Sequence, residues 1–444
     1  MFRKVYTKAE EFKAQNEELG LNLPYSEDVS VLGKELKVGG KIVPNRLACQ
    51  AMEGCDGTAD GSPDELTVRR YDRFAKGGAG MIWFEATAVM KEARANPRQL
   101  YIHESNLDDF KREVERIKET ALKENGYEPV VIMQATHSGR YSKPEGRPAP
   151  LIAYNNPIFE KENPVSPERI VSDSYIDTVK DALVKGAVLA EKAGFDGVDI
   201  KACHRYLNSE LLSAYNRPGK YGGSLENRTR LLREAIAGAM ESCGKDFIVS
   251  SRLNVYDGFP YPYGFGVKND GTLGFDSAEP VWLLKQLRDM GVELLNITMG
   301  NPYFNPHVNR PFAVGAYTPE EHPLEGTARM LNGIAELKRE VPELKLICSA
   351  VSFLGVAAPH VVAAFVEQGD FDIGGFGRTV FAYPDFVKDI LTKGAMDKNK
   401  ICICCSKCTQ IMRAPGGTPG CVIRDRDVYM PLYQKYVAEN SGKK

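Results

Sequence analysis

The chain has 444 residues with 57 basic and 59 acidic side chains, a formal charge of −2. Such a balance offers no field suited to nucleic acid or an anionic membrane, and 43% apolar content with 26% charged residues excludes a largely disordered chain. No run reaches the ~20 apolar residues of a membrane span, and the N-terminal MFRKVYTKAEEFKAQNEELG lacks a signal-peptide core, so a cytoplasmic enzyme with a small-molecule partner is expected.

Residues 1–30 read as a surface extension. Leu36–Ile42 holds a Gly-Gly pair between extended residues, a hairpin that could close the bottom of a barrel. From there, short runs rich in β-branched residues alternate with longer amphipathic stretches, the pattern of βα units. The predicted strands are Leu47–Ala51, Gly80–Glu85, Val130–Gln134, Gly197–Ile200, Phe247–Leu253, Leu294–Thr298, Lys345–Ser349 and Asp372–Phe376. Helical spacing is clearest over Leu107–Lys123, Tyr175–Ala193, Leu225–Ser242, Val281–Met290 and Ala328–Arg339. Eight such pairs predict an α/β fold, a (β/α)8 TIM barrel over residues 31–395, in preference to a doubly wound open sheet. The long Pro-, Asn- and Gly-rich segments His137–Asp173 and Gly300–Pro323 would then lie at the C-terminal face, where barrels carry their sites.

Of ten cysteines, five fall between Cys402 and Cys421, which points to metal rather than disulfides. Cys402, Cys405, Cys408 and Cys421 have C-x-x-C-x-x-C spacing with a distant fourth thiol, and residues 396–444 form a separate C-terminal segment. By spacing alone these four suit either a four-thiolate zinc site or an iron–sulfur cluster.

Beyond the fourth strand lies KACHRYLNSELLSAYNRPGKYGGSLENRTR, starting at Lys201. It resembles the Old Yellow Enzyme superfamily, whose pattern is matched here by His204, Tyr206, Leu207, Asn216, Arg217, Tyr221, Gly222, Gly223, Ser224, Asn227 and Arg228. Further landmarks recur in order, so the resemblance runs from about Val38 to Arg426. It implies FMN held by Ala51, Met52, Ala86, Gln134 and Arg252, with its phosphate at Ser349, Ala350, Gly375, Gly377 and Arg378. A fixed cation such as Arg252 suits a ring that gains negative charge on reduction.

The resemblance also implies an ene-reductase acting on an α,β-unsaturated carbonyl compound, an enoate, an enone or a steroid-like enone. His204 and Lys201 would hold the carbonyl oxygen and Tyr206 would give the proton. Lys201 stands where the family has a histidine and Arg205 where it has glycine. Taken singly, His204 could be a structural histidine and Tyr206 a packing aromatic.

The cysteine spacing resembles the four-iron (4Fe-4S) loop of the branch containing trimethylamine dehydrogenase, 2,4-dienoyl-CoA reductase and clostridial enoate reductases, with Cys404 as a non-ligand. That likeness favours iron over zinc. Asp56–Tyr71 and the GNPYFNPHVNR loop, with Tyr303, His307 and Arg310 as secondary substrate contacts, resemble anaerobic bacterial members. No GxGxxG follows Cys421, so the electron source is expected to be a separate ferredoxin, flavodoxin or reductase, or NAD(P)H directly. A homo-oligomer is compatible with all of this. The competing readings are an amine demethylase of the trimethylamine dehydrogenase type and a non-catalytic electron-transfer subunit. Lys201 opposes the first, because a cation in the pocket would repel an alkylammonium group.

Overall fold

The strand-forming runs are short because every side chain on them must find a buried neighbour, on the barrel axis or under a helix. In the computed structural model, which describes residues 4–438, eight parallel strands form one sheet: β1 Leu47–Cys49, β2 Met81–Ala88, β3 Val130–Thr136, β4 Gly197–Ile200, β5 Ile248–Asn254, β6 Leu294–Thr298, β7 Lys345–Ile347 and β8 Gly374–Phe376. Their order is β8-β1-β2-β3-β4-β5-β6-β7. A bridge between Ile347 and Ile373 and the Cys348 N–H bond to Ile373 O (3.0 Å) draw β7 and β8 together and close the cylinder.

Eight wall helices follow the strands: α1 Glu65–Lys76, α2 Leu107–Asn125, α3 Asp173–Lys192, α4 Arg230–Ser242, α5 Ala278–Asp289, α6 Pro323–Glu340, α7 Ala358–Gln368 and α8 Phe386–Lys393. Their apolar stripes face the barrel, as Phe110, Val114, Ile117 and Ala121 of α2 do. Caps fix several starts. The Ser172 side chain accepts the Tyr175 N–H at 3.1 Å ahead of α3, and His322 with Glu325 forms a reciprocal cap on α6.

The hairpin is present as Leu36–Val38 paired antiparallel with Lys41–Val43. Val38 and Val43 are fully buried and join Ala48, Met81, Trp83, Val130, Ile132, Ile248, Leu294, Ile347 and Ile373 in one apolar cluster inside the strands. That cluster stoppers the barrel and leaves its other end open for a site.

The N-terminal stretch is packed rather than merely superficial. Helix Ala9–Glu18 seats Phe12, and Tyr6 meets Phe12 and Phe353 edge-on at 5.6 and 5.8 Å. The Val356 N–H bonds Tyr6 O at 3.0 Å. Gly355 permits this approach: its φ is +57°, and a Cβ there would stand 2.1 Å from Tyr6 O.

At the other end, helices Lys407–Arg413 and Arg426–Tyr433 bury Ile411, Val422 and Tyr429 against each other. Arg69 of α1 clamps this lobe to the barrel through Asp425 at 2.7 and 2.8 Å, with Arg73 on the same carboxylate. Among the described residues one stretch, Val351–Gln368, is long and apolar enough by composition to cross a membrane, yet it bends at Gly355 and is mostly buried.

Candidate active site

Parallel strands leave their C-terminal ends free of ladder partners, so the residues just beyond them converge on one mouth. Here they border a cleft enclosing about 1000 Å³ with its opening. Ala51 and Met52 after β1, Ala86 on β2, Gln134 on β3, Lys201, His204 and Tyr206 after β4, Arg252 on β5, Ser349 and Ala350 after β7, and Gly377 and Arg378 after β8 all line it. Of the expected site residues of the barrel only Gly375 is absent from the lining. It sits on β8 in a packing role, where a Cβ would meet Cys348 O and Gln50 Nε2 at 2.2 Å each.

The charged and polar lining is held from behind. Asp199, buried on β4, accepts Gln134 Nε2 at 2.6 Å, Trp83 Nε1 at 2.7 Å and the Arg252 N–H at 2.6 Å, so one carboxylate fixes two of the lining positions. Gln50 ties three strands by donating to Asn296 Oδ1 and Cys348 O at 3.0 Å each and to Ser349 Oγ at 3.2 Å. Ala350 turns the loop after β7 with φ +70°.

Four buried nitrogens in this lining have no hydrogen-bond partner: His204 Nε2, Arg252 Nε, Arg310 Nη1 and Arg378 Nη1. Buried donors left alone cost about 1–3 kcal/mol each, so their gathering marks a binding surface for a polar, anionic molecule. Burial, followed by the nearby Arg252, Lys201 and Arg310 charges, drives the His204 pKa well below its usual value and keeps the ring neutral. Burial and neighbouring Arg378 lower Arg310 to about 10.

Tyr206 is 2% exposed and lies under the Lys201 ammonium, whose Nζ is 3.8 Å from the ring centroid. Its hydroxyl meets Tyr303 OH at 3.1 Å and Glu53 Oε2 at 3.5 Å. Tyr303 stacks on Tyr141 at 3.9 Å. Arg205 turns out of the cleft, bonding Tyr154 OH at 3.1 Å and Asp257 Oδ2 at 3.2 Å, so its bulk does not narrow the mouth. His204 and Arg205 both adopt left-handed backbone, with φ of +65° and +61°.

Of the secondary candidates, Tyr303 and Arg310 line the cleft. His307 instead pairs with Tyr317 OH through Nδ1 at 2.5 Å and stays outside the lining. Sequence reasoning passed over Glu53 and Gln50, which flank the expected Ala51 and Met52.

The cysteine lobe adjoins the same mouth. Cys402, Cys405, Cys408 and Cys421 border one small cavity together with Cys404, Arg378, Phe381 and Arg424. Arg378, Phe381 and Cys408 line both this cavity and the main cleft. Cys402 Sγ accepts the Cys404 N–H at 3.4 Å and Cys421 Sγ the Arg424 N–H at 3.3 Å. Among the described residues, no three His, Cys, Asp or Glu side chains are arranged to hold an ion.

Residues 32–264 match the NADH:flavin oxidoreductase / NADH oxidase family. The chain belongs to that family. This agrees with the Old Yellow Enzyme resemblance of the strand-end motifs. An NADPH dehydrogenase of Bacillus pumilus is 31% identical over 244 residues, 54% of this chain and 64% of that protein. One of Halalkalibacterium halodurans is 30% identical over 269 residues, 59% of this chain and 71% of its own length. An NADH oxidase of Thermoanaerobacter brockii is 25% identical over 392 residues, covering 84% of this chain and 52% of that protein. The matches therefore span less than two thirds of the first and about half of the third.

Solved structures share the fold. That of 2-naphthoyl-CoA reductase with 2-naphthoyl-CoA gives a TM-score of 0.71 at 20% identity, over 91% of this chain and 58% of that one. An old yellow enzyme homologue from Zymomonas mobilis gives 0.61 at 22%, over 83% and 94%.

Proposed function

We propose that this protein is an FMN-dependent ene-reductase that saturates the carbon–carbon double bond of an α,β-unsaturated carbonyl compound. The single observation carrying this reading is the gathering of unpartnered His204, Arg252, Arg310 and Arg378 nitrogens around one cleft, together with Tyr206.

These residues fit FMN. Gln134 and Arg252, pinned by Asp199, would meet the edge of the ring; Ser349, Ala350, Gly377, Arg378 and Arg310 would meet the phosphate. Bound FMN supplies the exchange of a hydride equivalent with the substrate. The neutral His204 presents an N–H to the substrate's carbonyl oxygen, stabilising the charge that grows there, and Lys201 adds a cation to the same pocket. Tyr206 gives the proton to the α-carbon. Burial holds this phenol well above its usual pKa, so it enters each cycle protonated. Met52, Phe381 and Tyr303 restrict water at the cleft.

Cys402, Cys405, Cys408 and Cys421 would hold a 4Fe-4S cluster, which supplies single-electron carriage from an external protein; NAD(P)H reaching the cleft directly is the other source. The spacing of the four cysteines carries this reading rather than a preformed ligand set; they border one cavity together with Cys404, N–H groups donate to the Cys402 and Cys421 sulfurs, and Arg378 borders both sites. An amine demethylase reading meets the Lys201 ammonium over Tyr206, a charge that disfavours an alkylammonium substrate in the same place.

The test is anaerobic mixing of the reduced enzyme with enoates, enones, steroid-like enones and enoyl-CoA thioesters while following flavin absorbance. Reoxidation with appearance of the saturated product is expected; reoxidation by none of them, with reduction by methylamines, would overturn the proposal. In Tyr206→Phe the proton transfer should slow more than the hydride transfer. Metal and sulfide analysis should find iron, and zinc instead would remove the cluster.

A further inference from the structure

An acid that gives up a proton in every turnover must be recharged, and a hydroxyl shielded from water needs a path for it. Tyr206 lines the main cleft only, and a bound substrate would cover that side. Beside it lies a second chamber enclosing about 1700 Å³ with its opening, bordered by Cys55, Asn96, Arg98, Lys143 and Arg413. Glu53, Tyr303 and Met412 line both spaces. The two hydrogen-bond neighbours of the Tyr206 hydroxyl are Tyr303 OH and Glu53 Oε2, so both lead outward. Of these two only Glu53 is a carboxylic acid, which exchanges a proton far more readily than a phenol near neutral pH. Its other oxygen accepts Asn96 Nδ2 at 3.2 Å and faces Cys55 Sγ at 3.8 Å, on the outer chamber's side.

We propose that Glu53 is the relay through which Tyr206 regains its proton from the outer chamber. The inference rests on the reading of Tyr206 as the acid. An acid in solvent passes a proton to the Glu53 carboxylate, and the resulting carboxyl passes its own to the Tyr206 phenolate. No electrons move, and on giving that proton to Tyr206 Glu53 is again the carboxylate it started as.

The groups facing Glu53 are Lys201, Tyr206, Tyr303, Cys55, Asn96 and, from strand β2, Glu85. Burial raises the Glu53 pKa against the opposing Lys201 charge, bringing it nearer to neutrality, where a relay works best. The neighbouring backbone is anchored for this, since Gly54 N–H donates to Glu85 Oε2 at 2.7 Å and Glu85 is fixed by Arg70.

The test compares FMN-loaded wild type, Glu53→Gln and Tyr206→Phe with whichever unsaturated compound reoxidises the reduced enzyme fastest in the screen above. In Glu53→Gln the first turnover should stay within about twofold of wild type while steady-state kcat falls roughly tenfold or more. Added formate or acetate buffer should restore kcat in proportion to the concentration of the acid form. Infrared difference spectra of the substrate-free protein recorded against pH should show a protonated-carboxyl band, lacking in Glu53→Gln, that persists to higher pH than that of an exposed glutamate.

An unchanged kcat in Glu53→Gln, or a loss that small acids do not rescue, overturns the relay while leaving Tyr206 as the acid. A normal first turnover in Tyr206→Phe, or no reoxidation by any compound of the screen, removes the acid itself and the relay with it.

Discussion

The cleft's chemistry rests on a few side chains whose neighbours leave them incomplete. Arg252 keeps a single weak contact, Nη1 to Ala51 O at 3.5 Å, and burial pulls its pKa down. An anionic or carbonyl-bearing partner in front of it would restore both hydrogen bonding and charge balance. Arg252→Ala should therefore weaken FMN binding by about 1.5–3 kcal/mol, roughly 10–100-fold in Kd, measured by fluorescence titration of the flavin-free protein. Unchanged affinity would remove Arg252 from the flavin site. The residues around it were legible because strand ends in a barrel converge, so a Gln, an Arg and a Gly-Arg pair at successive ends pointed to one place. Glu53 was not legible, since its role depends on the second chamber, and that space is made by Tyr303 and the Lys407–Arg413 helix from distant parts of the chain.

Among the elements, β4 and β6 have the bounds their sequence patterns predict, because Gly or charged residues bracket each apolar run. β7 ends at Ile347 rather than Ser349, since the chain must turn into the loop at Ala350. β2 runs on to Ala88 past a register shift between Phe84 and Ala86, which small residues without a clear apolar rhythm concealed. The predicted helix Leu225–Ser242 is split into Leu225–Arg228 and Arg230–Ser242 at Thr229, whose hydroxyl bonds Leu225 O while Arg228 reaches back to Gly223 O. Composition could not disclose the packing of the N-terminal helix, because it depends on a non-local partner, Phe353. Phe12→Ala should cost about 3–5 kcal/mol in urea unfolding; a loss below 1 kcal/mol would mean that this arm is not part of the core.

Helix α2 carries a second element-scale consequence. Glu113 is 3% exposed and its Oε1 has no partner. Burial raises its pKa from 4.5 to about 7, with Arg116 opposing. The folded state thus prefers the protonated form, and this contribution is full below about 4.5 and lost as pH rises through about 7. Glu113→Gln should flatten that part of the stability profile and gain about 1–3 kcal/mol over wild type at pH 8. Equal slopes in urea midpoints between pH 5 and 8 would contradict it.

At the scale of the whole molecule, a stoppered cylinder presents one open mouth, and the cysteine lobe is fastened beside it by Arg69 and Arg73 on Asp425. Fold and family were legible because the βα alternation and the motif after β4 are local. The closeness of the cysteine cavity to the cleft was not, because it arises where Arg378 and Cys408, thirty positions apart, meet. The central claim is that this mouth holds FMN. The most direct test is to release and quantify the flavin from protein purified without oxygen, or incubated with FMN and then desalted. About one FMN per chain, with its visible absorbance changed on binding, is the predicted result. Colourless protein that takes up no FMN would contradict the account.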